Sequence, residues 1–452
     1  MSNGTIIREQ LARGAMRARQ LVDSTGLSQP TVSRAIAGLG DEVVRIGAGP
    51  SIHYALRDAS RGLDDVPVYR VDVAGGLRLL GRLIPVHPDG FVMRQEDGAA
   101  QHFEGLPWWL LDMRPQGFLG RAYARRHADN LDLPANPNEW NDTQVLRALL
   151  RHGENAVGNL LLGDRARQRF LEGALPAPIT PADRGEAYVR LAEAATRGDQ
   201  PGSSAGGEQP KFAAYTLTDV GPRHVLVKFS VAEDNPIAER WQDLLLAEHI
   251  AAEALRAAGI AAVATRLFDH GGQRFLETER FDREGEMGRH ALISLAALDA
   301  EFVGAGSGEW PAIVQRLAQA GHVQAQAHGE SAFLHAFGTL IGNTDMHFGN
   351  LSFHGDHGRP YTLAPAYDML PMGFAPRSGG ALPESLAEPH ITPSVDNETW
   401  GRALEVARQY LERLRLVGDA FSERFKPCLA ALERHVEVGG SRIARLSQDD
   451  LR

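Results

Sequence analysis

The chain has 452 residues, of which 23% are charged and 43% are hydrophobic, and its net charge is −10. A chain of this length is expected to form two or three domains, and the composition is that of a folded globular protein. It contains neither an apolar run of the roughly 18 residues that a membrane span needs nor an apolar signal core at its N-terminus. We therefore expect a cytoplasmic protein without membrane contact. The single cysteine, Cys428, excludes an internal disulfide framework and is expected to pack in a helix.

Residues 1–62 predict a small winged helix-turn-helix. Residues 1–60 hold seven arginines and five acids, a charge of 7 − 5 = +2, so the remainder carries −12. A short helix ending at Gly26, a turn at 28–30 and a second amphipathic helix make the motif, and two strands around 47–51 make the wing. The side chains expected to face a DNA major groove are Thr31, Ser33 and Arg34. The alternative is a motif that contacts only protein.

Residues 63–180 predict a small antiparallel sheet and helices, because short alternating apolar runs are separated by glycine turns. No motif with evident chemistry occurs in this part. Arg121, Arg125 and Arg126 form a basic cluster that a solvated helix face explains.

The stretch "GDQPGSSAGGEQPKFAAYTLTDVGPRHVLVKFS" predicts a phosphate-binding loop followed by two strands, at 212–217 and 225–229. Gly206 and Gly207 allow backbone N–H groups to approach a phosphate closely. The chain contains only three lysines, which are Lys211, Lys228 and Lys426. Two of them stand beside this loop, and an ammonium on a strand can pair with phosphate oxygens where a planar guanidinium fits badly.

The elements after this hairpin continue a recognisable order. A long amphipathic helix offers Glu239, Asp243 and Glu248 as ion-pair partners for Lys228, and only Glu248 falls on its apolar side. Two strands around 270–272 follow. Glycine loop, strand, strand with lysine, helix, strand, strand and linker is the order of a protein-kinase N-lobe and hinge.

The stretch "GNTDMHFGN" supplies the central chemical motif. Asp345 and Asn350 are separated by 350 − 345 = 5 positions, the offset of the catalytic Asp and the metal-binding Asn in a kinase catalytic loop. A predicted hairpin then leads to Asp368, where kinases have a second metal-binding acid. The C-terminal third is expected to be helical, since Leu404, Ala407, Leu411 and Leu414 recur at helical spacing.

On the stretches "SSAGGEQPKF", "VLVKF", "ETERFDRE", "GNTDMHFGN" and "PAYDML", the chain resembles the HipA-like serine/threonine kinases, the toxins of bacterial toxin–antitoxin modules. With a helix-turn-helix in front, it is most similar to their YjjJ branch. The resemblance implies an α+β, protein-kinase-like bilobal fold. Residues 63–180 would be the family's N-terminal subdomain and residues 181–452 the kinase core, with a β-rich N-lobe to about 282 and a helical C-lobe after it.

The resemblance also implies ATP and Mg²⁺ as cofactors and Asp345 as the catalytic base. The residues implied to contact the nucleotide are Ala205, Gly206, Gly207, Glu208, Gln209, Lys211, Lys228, Glu279, Arg280, Phe281, His347, Asn350 and Asp368. Asn350 and Asp368 would hold the metal, and Ser203, with Ser204 as the alternate, would be autophosphorylated. The implied partners are a protein substrate such as a translation factor or an aminoacyl-tRNA synthetase, an antitoxin, and DNA through the N-terminal module.

The sequence departs from the family's pattern at Gly349, where a basic residue often stands, and leaves alternatives open. One is a small-molecule kinase of the aminoglycoside type, but such enzymes usually carry a histidine where this chain has Asn343. Another is a transcription regulator whose kinase-like body only senses nucleotide. Intact Lys228, Asp345 and Asp368 favour an enzyme.

Overall fold

The computed structural model describes residues 2–47, 51–173, 177–197 and 209–449. The N-terminal part contains three helices and a three-stranded sheet of order β1-β3-β2. Its elements are α1 (Asn3–Leu11), β1 (Met16–Arg17), α2 (Ala18–Thr25), α3 (Gln29–Leu39), β2 (Val43–Ile46) and β3 (His53–Leu56). Gly26 ends α2 with a φ of 70°, a left-handed conformation that glycine adopts without strain. Helices α2 and α3 are followed by the β2–β3 pair, and the winged helix-turn-helix assignment stays a prediction. Helix α1, which was not predicted from the sequence, adds Ile7 and Leu11 to the core of this part.

The middle part is an antiparallel five-stranded sheet of order β7-β6-β5-β4-β8 with three helices. Its elements are β4 (Val66–Val71), β5 (Leu77–Val86), β6 (Gly90–Gln95), β7 (Ala100–Phe103), α4 (Gly117–Leu131), α5 (Asp142–His152), β8 (Leu160–Leu162) and α6 (Gly163–Glu172). Asn141 caps α5 and exchanges hydrogen bonds with Gln144, which satisfies backbone N–H groups at the helix start. Tyr123, Trp140 and Leu146 lie in the core of this part.

A second antiparallel sheet of four strands, in the order β11-β12-β10-β9, carries two of the three lysines. The elements of this lobe are α7 (Arg184–Arg197), β9 (Lys211–Thr218), β10 (Gly221–Phe229), α8 (Pro236–Ala257), β11 (Thr265–His270) and β12 (Gln273–Glu279). Lys228 pairs in register with Lys211 on one side and Leu276 on the other. Tyr188 of α7 packs its ring against Phe212 and Phe275 of the sheet. The sheet is therefore covered by α7 on the face that these aromatic rings share.

The remainder of the chain is mainly helical, as the apolar spacing predicts. It contains β13 (Arg283–Glu284), β14 (Gly288–Arg289), β15 (Leu292–Ser294), α9 (Leu295–Phe302), α10 (Trp310–Gln319), α11 (Gln326–Leu340), β16 (Ser352–His354), β17 (Thr362–Leu363), α12 (Asn397–Leu416) and α13 (Lys426–Asp449). Strands β15, β16 and β17 form a small sheet beside these helices. No helix in the described ranges is long and apolar enough to cross a membrane.

Helix α8 joins the four-stranded sheet to the helical lobe. Its Leu244 and Leu255 belong to the core of the helical lobe, and the Tyr410 hydroxyl donates to the Ala247 carbonyl at 3.2 Å. Ile237, in the first turn of α8, is 40% exposed and does not join this core. Cys428 is buried in α13, as expected. The domain boundaries at 62 and 180 stay predictions.

Candidate active site

Lys228 lies at the centre of a buried group of charges. Its side chain is on β10, and its Nζ donates to the two carboxylate oxygens of Glu248 on α8 at 2.6 and 2.8 Å. It also donates to Oδ1 of Asp368, which follows β17. Burial disfavours the ammonium, but the Asp368 and Glu248 carboxylates outweigh this effect and raise the pKa of Lys228. Lys228 is therefore a permanent cation fixed between two acids.

The two acids respond differently to this burial. Burial raises the pKa of Glu248 to about 7, although the Lys228 charge opposes the rise. Burial also opposes ionisation of Asp368, but Lys228 and Lys211 overcome it and lower the pKa of Asp368 to about 2. Asp368 has a φ of 55°, in the left-handed region that aspartate tolerates better than most residues. The structure therefore presents an ionised Asp368 carboxylate at neutral pH.

The loop after α11 carries the predicted Asp and Asn. The Asn343 Oδ1 accepts from the Asp345 backbone N–H at 3.0 Å, and its Nδ2 donates to the Asp368 carbonyl at 3.2 Å. The Asn350 Nδ2 donates to the Asp345 carbonyl at 2.8 Å. The Asn350 Oδ1 is buried and has no hydrogen-bond partner in the described part of the chain. Asn343, which the sequence analysis used only to compare families, thus ties this loop to the Asp368 segment.

Asp345 is half-buried, and its charge environment is mixed. Burial and the Asp368 carboxylate raise the pKa of Asp345, while His347, Lys228 and Lys211 act to lower it, and the net direction is upward. A carboxylate with a raised pKa is a stronger base than an ordinary aspartate. The arrangement can therefore accept a proton at Asp345 while Lys228 and Asp368 stay charged.

A cleft of about 370 Å³ opens between the four-stranded sheet and the helical lobe. Seven of the predicted site residues line it, and they are Lys211, Lys228, Glu279, Arg280, Phe281, His347 and Asp368. Asp345 lines a neighbouring cavity of about 980 Å³ instead, and His347 and Gly349 line both cavities. The loop that holds Asp345 and Asn350 therefore forms the boundary between two concave spaces.

The hinge residues have structural partners of their own. Glu279 pairs with Arg223 at 2.8 Å, and Arg280 pairs with Asp282 at 2.8 Å. The Phe281 ring packs against Tyr367 with 5.6 Å between centroids. Their side chains are thus held by the protein, although all three hinge residues line the cleft.

The remaining predicted residues are placed as follows. Lys211 is buried on β9 beside Lys228, and Gln209 precedes this strand with a buried Nε2. Six predictions lie outside the described residues, namely Ser203, Ser204, Ala205, Gly206, Gly207 and Glu208. On α3, Ser33 and Arg34 are exposed, while Thr31 is half-buried with its hydroxyl 2.9 Å from that of Ser28.

The middle part of the chain contributes to the cleft, which was not predicted from the sequence. Four polar residues of this part line the cleft from segments without an evident sequence motif, and they are Asp112, Arg114, Gln116 and Asn155. Asp112 is half-buried and accepts from the Ser294 backbone N–H at 2.7 Å and from its hydroxyl at 2.5 Å. Burial raises the pKa of Asp112. The polar residues that directly follow the apolar "LPWWLL" stretch were the available signal.

A sheet lobe with a buried Lys–Glu pair, a helical lobe with an Asp/Asn loop, and a cleft between them define a protein-kinase-like bilobal fold. Residues 63–171 match the family model described as YjjJ-like toxin, middle domain, and residues 203–424 match the HipA-like C-terminal domain. The chain is 38% identical to Toxin YjjJ of Escherichia coli (strain K12) over 442 residues, which cover 97% of this chain and 99% of that protein. The chain therefore belongs to the family of YjjJ-like toxins with a HipA-like C-terminal domain, as the resemblance implied.

Two solved structures are each similar to a part of the chain. One comes from the complex of the Shewanella oneidensis MR-1 toxin–antitoxin proteins HipA and HipB with operator DNA, with a TM-score of 0.51 and 16% identity. That match covers 84% of this chain and 97% of the other, which supports the predicted fold class. The other is the Helicobacter pylori proinflammatory kinase CtkA, with a TM-score of 0.37 and 14% identity, over 52% of this chain and 95% of that one.

Proposed function

We propose that the chain is an ATP-dependent protein kinase that transfers the γ-phosphoryl group to a serine or threonine hydroxyl. The observation that carries this proposal is the buried Lys228, held by Glu248 of α8 and by Asp368 at the wall of the cleft. A lysine paired with a helix glutamate, next to an acid, is the arrangement that kinases use to place phosphates.

The residues around the cleft fit a nucleotide with its magnesium ion. Mg²⁺ prefers oxygen ligands, and the ionised Asp368 carboxylate and the unpartnered, buried Asn350 Oδ1 are oxygens of the required kind. When bound, the ion would neutralise phosphate charge. Lys228 and Lys211 add two buried cations beside the same space. Leu226, Ala213 and Leu292 offer apolar lining for the base of the nucleotide.

In the proposed transfer step, Asp345 accepts the proton of the substrate hydroxyl. The hydroxyl oxygen of the substrate forms a bond to the γ-phosphorus, and the bond from that phosphorus to its bridging oxygen breaks, which releases ADP. The hydroxyl proton passes to the Asp345 carboxylate, whose raised pKa suits a base. The cavity that Asp345 lines would receive the acceptor segment, and the cleft on the other side of His347 would hold ATP.

The partners follow as further parts of the proposal. A similar structure contains an antitoxin and operator DNA, and the related Escherichia coli protein is a toxin. We accordingly propose an antitoxin partner and DNA contact through Thr31, Ser33 and Arg34 of α3. A translation-related protein substrate is proposed from the resemblance alone. Self-phosphorylation at Ser203 or Ser204 is proposed from the resemblance alone. By the same resemblance this loop would lie beside the ATP phosphates. A phosphate on it, which adds about −1.5 to −2 charge, would then repel them and inactivate the enzyme.

Substitution of the base tests the proposed function directly. We expect Asp345→Asn to lower phosphoryl transfer by on the order of 10²- to 10⁴-fold while ATP affinity stays near that of wild type. Transfer is measured with labelled ATP and Mg²⁺ on the protein itself and on cell extract, and affinity is measured with a fluorescent ATP analogue. Asp419→Asn, at an exposed aspartate in the helical lobe, is the matched control. Substantial transfer by Asp345→Asn would show that another acid is the base.

A further inference from the structure

Two histidines and an aspartate meet close to Phe281 of the hinge. His290 follows β14, His354 ends β16, and Asp356 lies in the turn after it. Each offers one ligand atom, and these three atoms lie within 4.8 Å of one another. All three side chains are half-buried, so the cluster is enclosed but still open to solvent ions. None of these residues has a part in the proposed phosphoryl transfer.

We propose that His290, His354 and Asp356 form a binding site for a divalent transition-metal ion of the zinc type. Two imidazole nitrogens and one carboxylate oxygen are a donor set that zinc accepts with four-coordinate geometry, the fourth position being left to water. Magnesium and calcium prefer all-oxygen sites, so this donor set is distinct from that of Asn350 and Asp368.

The second observation that supports the site is a ring nitrogen of His354 that lacks a hydrogen-bond partner among the described residues. The His354 Nδ1 is buried and has no hydrogen-bond partner among the described residues, although a buried polar nitrogen normally has one. A metal ion would take up the lone pair of that nitrogen. An imidazole nitrogen without a protein partner is available as a zinc ligand.

The backbone positions two of the ligands before any ion arrives. Asp356 Oδ1 accepts from the Ala291 backbone N–H at 2.6 Å, and its Oδ2 lies 2.7 Å from the His290 Nδ1. The Gly355 N–H bonds the Ala291 carbonyl at 3.0 Å, which holds the turn against the segment that carries His290. Zinc–nitrogen bonds of about 2.0–2.1 Å place tetrahedral ligands about 3.3 Å apart. On zinc binding, side-chain rotation would lengthen the 2.7 Å distance between His290 Nδ1 and Asp356 Oδ2. It would also shorten the longer distances among the three ligand atoms, which now extend up to 4.8 Å.

An ion here would act on the hinge. The His354 ring lies 5.9 Å from the Phe281 ring, centroid to centroid, in an edge-on contact, and Phe281 lines the cleft. Coordination would fix the His354 ring and join the His290 segment to the β16–β17 hairpin. The predicted role of the ion is therefore structural, and it is independent of whether the chain transfers phosphate.

Zinc titration of the full-length protein tests the site without any activity measurement. The protein is stripped with a chelator, dialysed and titrated with ZnCl₂ by calorimetry, and Co²⁺ is added in a parallel experiment to read coordination from its visible spectrum. We expect one tight equivalent in wild type and in His357→Ala, the control at an exposed histidine of the same turn. His290→Ala and His354→Ala should each lose that equivalent. Asp356→Asn should weaken it by about 10- to 100-fold or more.

The results of these titrations either support or overturn the proposed zinc site. Absence of a tight equivalent in wild type, or its retention in both histidine variants, would overturn the proposal. If circular dichroism shows that the alanine variants are unfolded, Asp356→Asn decides the matter, because an amide oxygen can still accept from the Ala291 N–H. Folded Asp356→Asn with wild-type zinc affinity would also overturn it. The Asp345→Asn variant should bind zinc normally, so failure of the kinase proposal would leave this result unchanged.

Discussion

His347 is exposed and stands two residues after Asp345, on the boundary between the two cavities. Burial raises the pKa of Asp345, and the charge of His347 is the largest opposing influence. A base works only when deprotonated, so the activity of the proposed enzyme should fall as the pH drops through the raised pKa of Asp345. The acid limb of its pH profile should therefore lie above the usual range of an aspartate.

His347→Gln should move that acid limb to higher pH. The substitution removes the positive charge that lowers the pKa of Asp345, so the carboxylate becomes protonated at a higher pH than in wild type. The measurement is the rate of phosphoryl transfer against pH at saturating ATP, with His357→Gln as the control. A limb that stays in place, or moves to lower pH, would contradict the assigned role of Asp345.

Gly349 lies directly against the ring of His347. A Cβ at this position would lie 2.8 Å from the Cε1 of His347, closer than carbon atoms normally approach. The Gly349 N–H donates to the His347 Nδ1 at 3.0 Å, so the glycine keeps the histidine ring close. A larger residue here would require the His347 ring to move.

At the scale of elements, the sequence predicted the helices, strands and loops that depend on residues close together in the chain. Strands β9 and β10, helix α8 and the Asp345 loop follow from apolar spacing and turn residues, and Glu248 was the one acid placed on the correct helix face. Asp112 and Asn155 could not be found in this way. They reach the cleft through contacts with residues more than 100 positions away, and such contacts leave no periodic trace in the sequence.

Helix α3 gives the prediction for DNA. Its Arg34 is exposed near the helix start, where side chains reach a groove, although its Nε also contacts the Pro30 carbonyl at 3.3 Å. Arg34→Ala should weaken DNA binding by about 1–3 kcal/mol, and the affinity of wild type should fall steeply with added salt. Fluorescence anisotropy with genomic fragments measures both effects, with Arg125→Ala on α4 as the control. Undetectable or salt-insensitive binding would assign the N-terminal part to protein contacts.

At the scale of the whole molecule, Asp282 joins the middle part to the rest of the chain. Its carboxylate accepts from Arg280 at 2.8 Å, from Arg283 at 2.6 Å and from the Gly158 backbone N–H at 3.0 Å. Arg283 also donates to the Ala156 carbonyl at 2.8 Å. Burial opposes ionisation of Asp282, but the two guanidinium groups overcome it and lower its pKa. This contribution to stability is therefore present at neutral pH and is lost only under strongly acidic conditions.

Asp282→Ala should destabilise the fold by about 3–5 kcal/mol, because it leaves buried guanidinium groups without their carboxylate. Asp219→Ala is the control, since Asp219 is 91% exposed and its pair with Arg266 is worth about 0–1 kcal/mol. Urea unfolding followed by fluorescence gives both free energies. Equal midpoints for the two variants would show that Asp282 does not hold these parts together.

The scarcity and burial of lysine have a practical consequence for chemical labelling. Lys211 and Lys228 are 1% and 5% exposed, whereas the Lys426 side chain is 54% exposed and paired with Glu423. An acylating reagent should therefore modify Lys426 as the single reactive side-chain amine of the folded protein. Acylation of Lys228, detected by mass spectrometry, would show that the cleft has opened. The extent of Lys228 acylation can therefore be used to measure this conformational change.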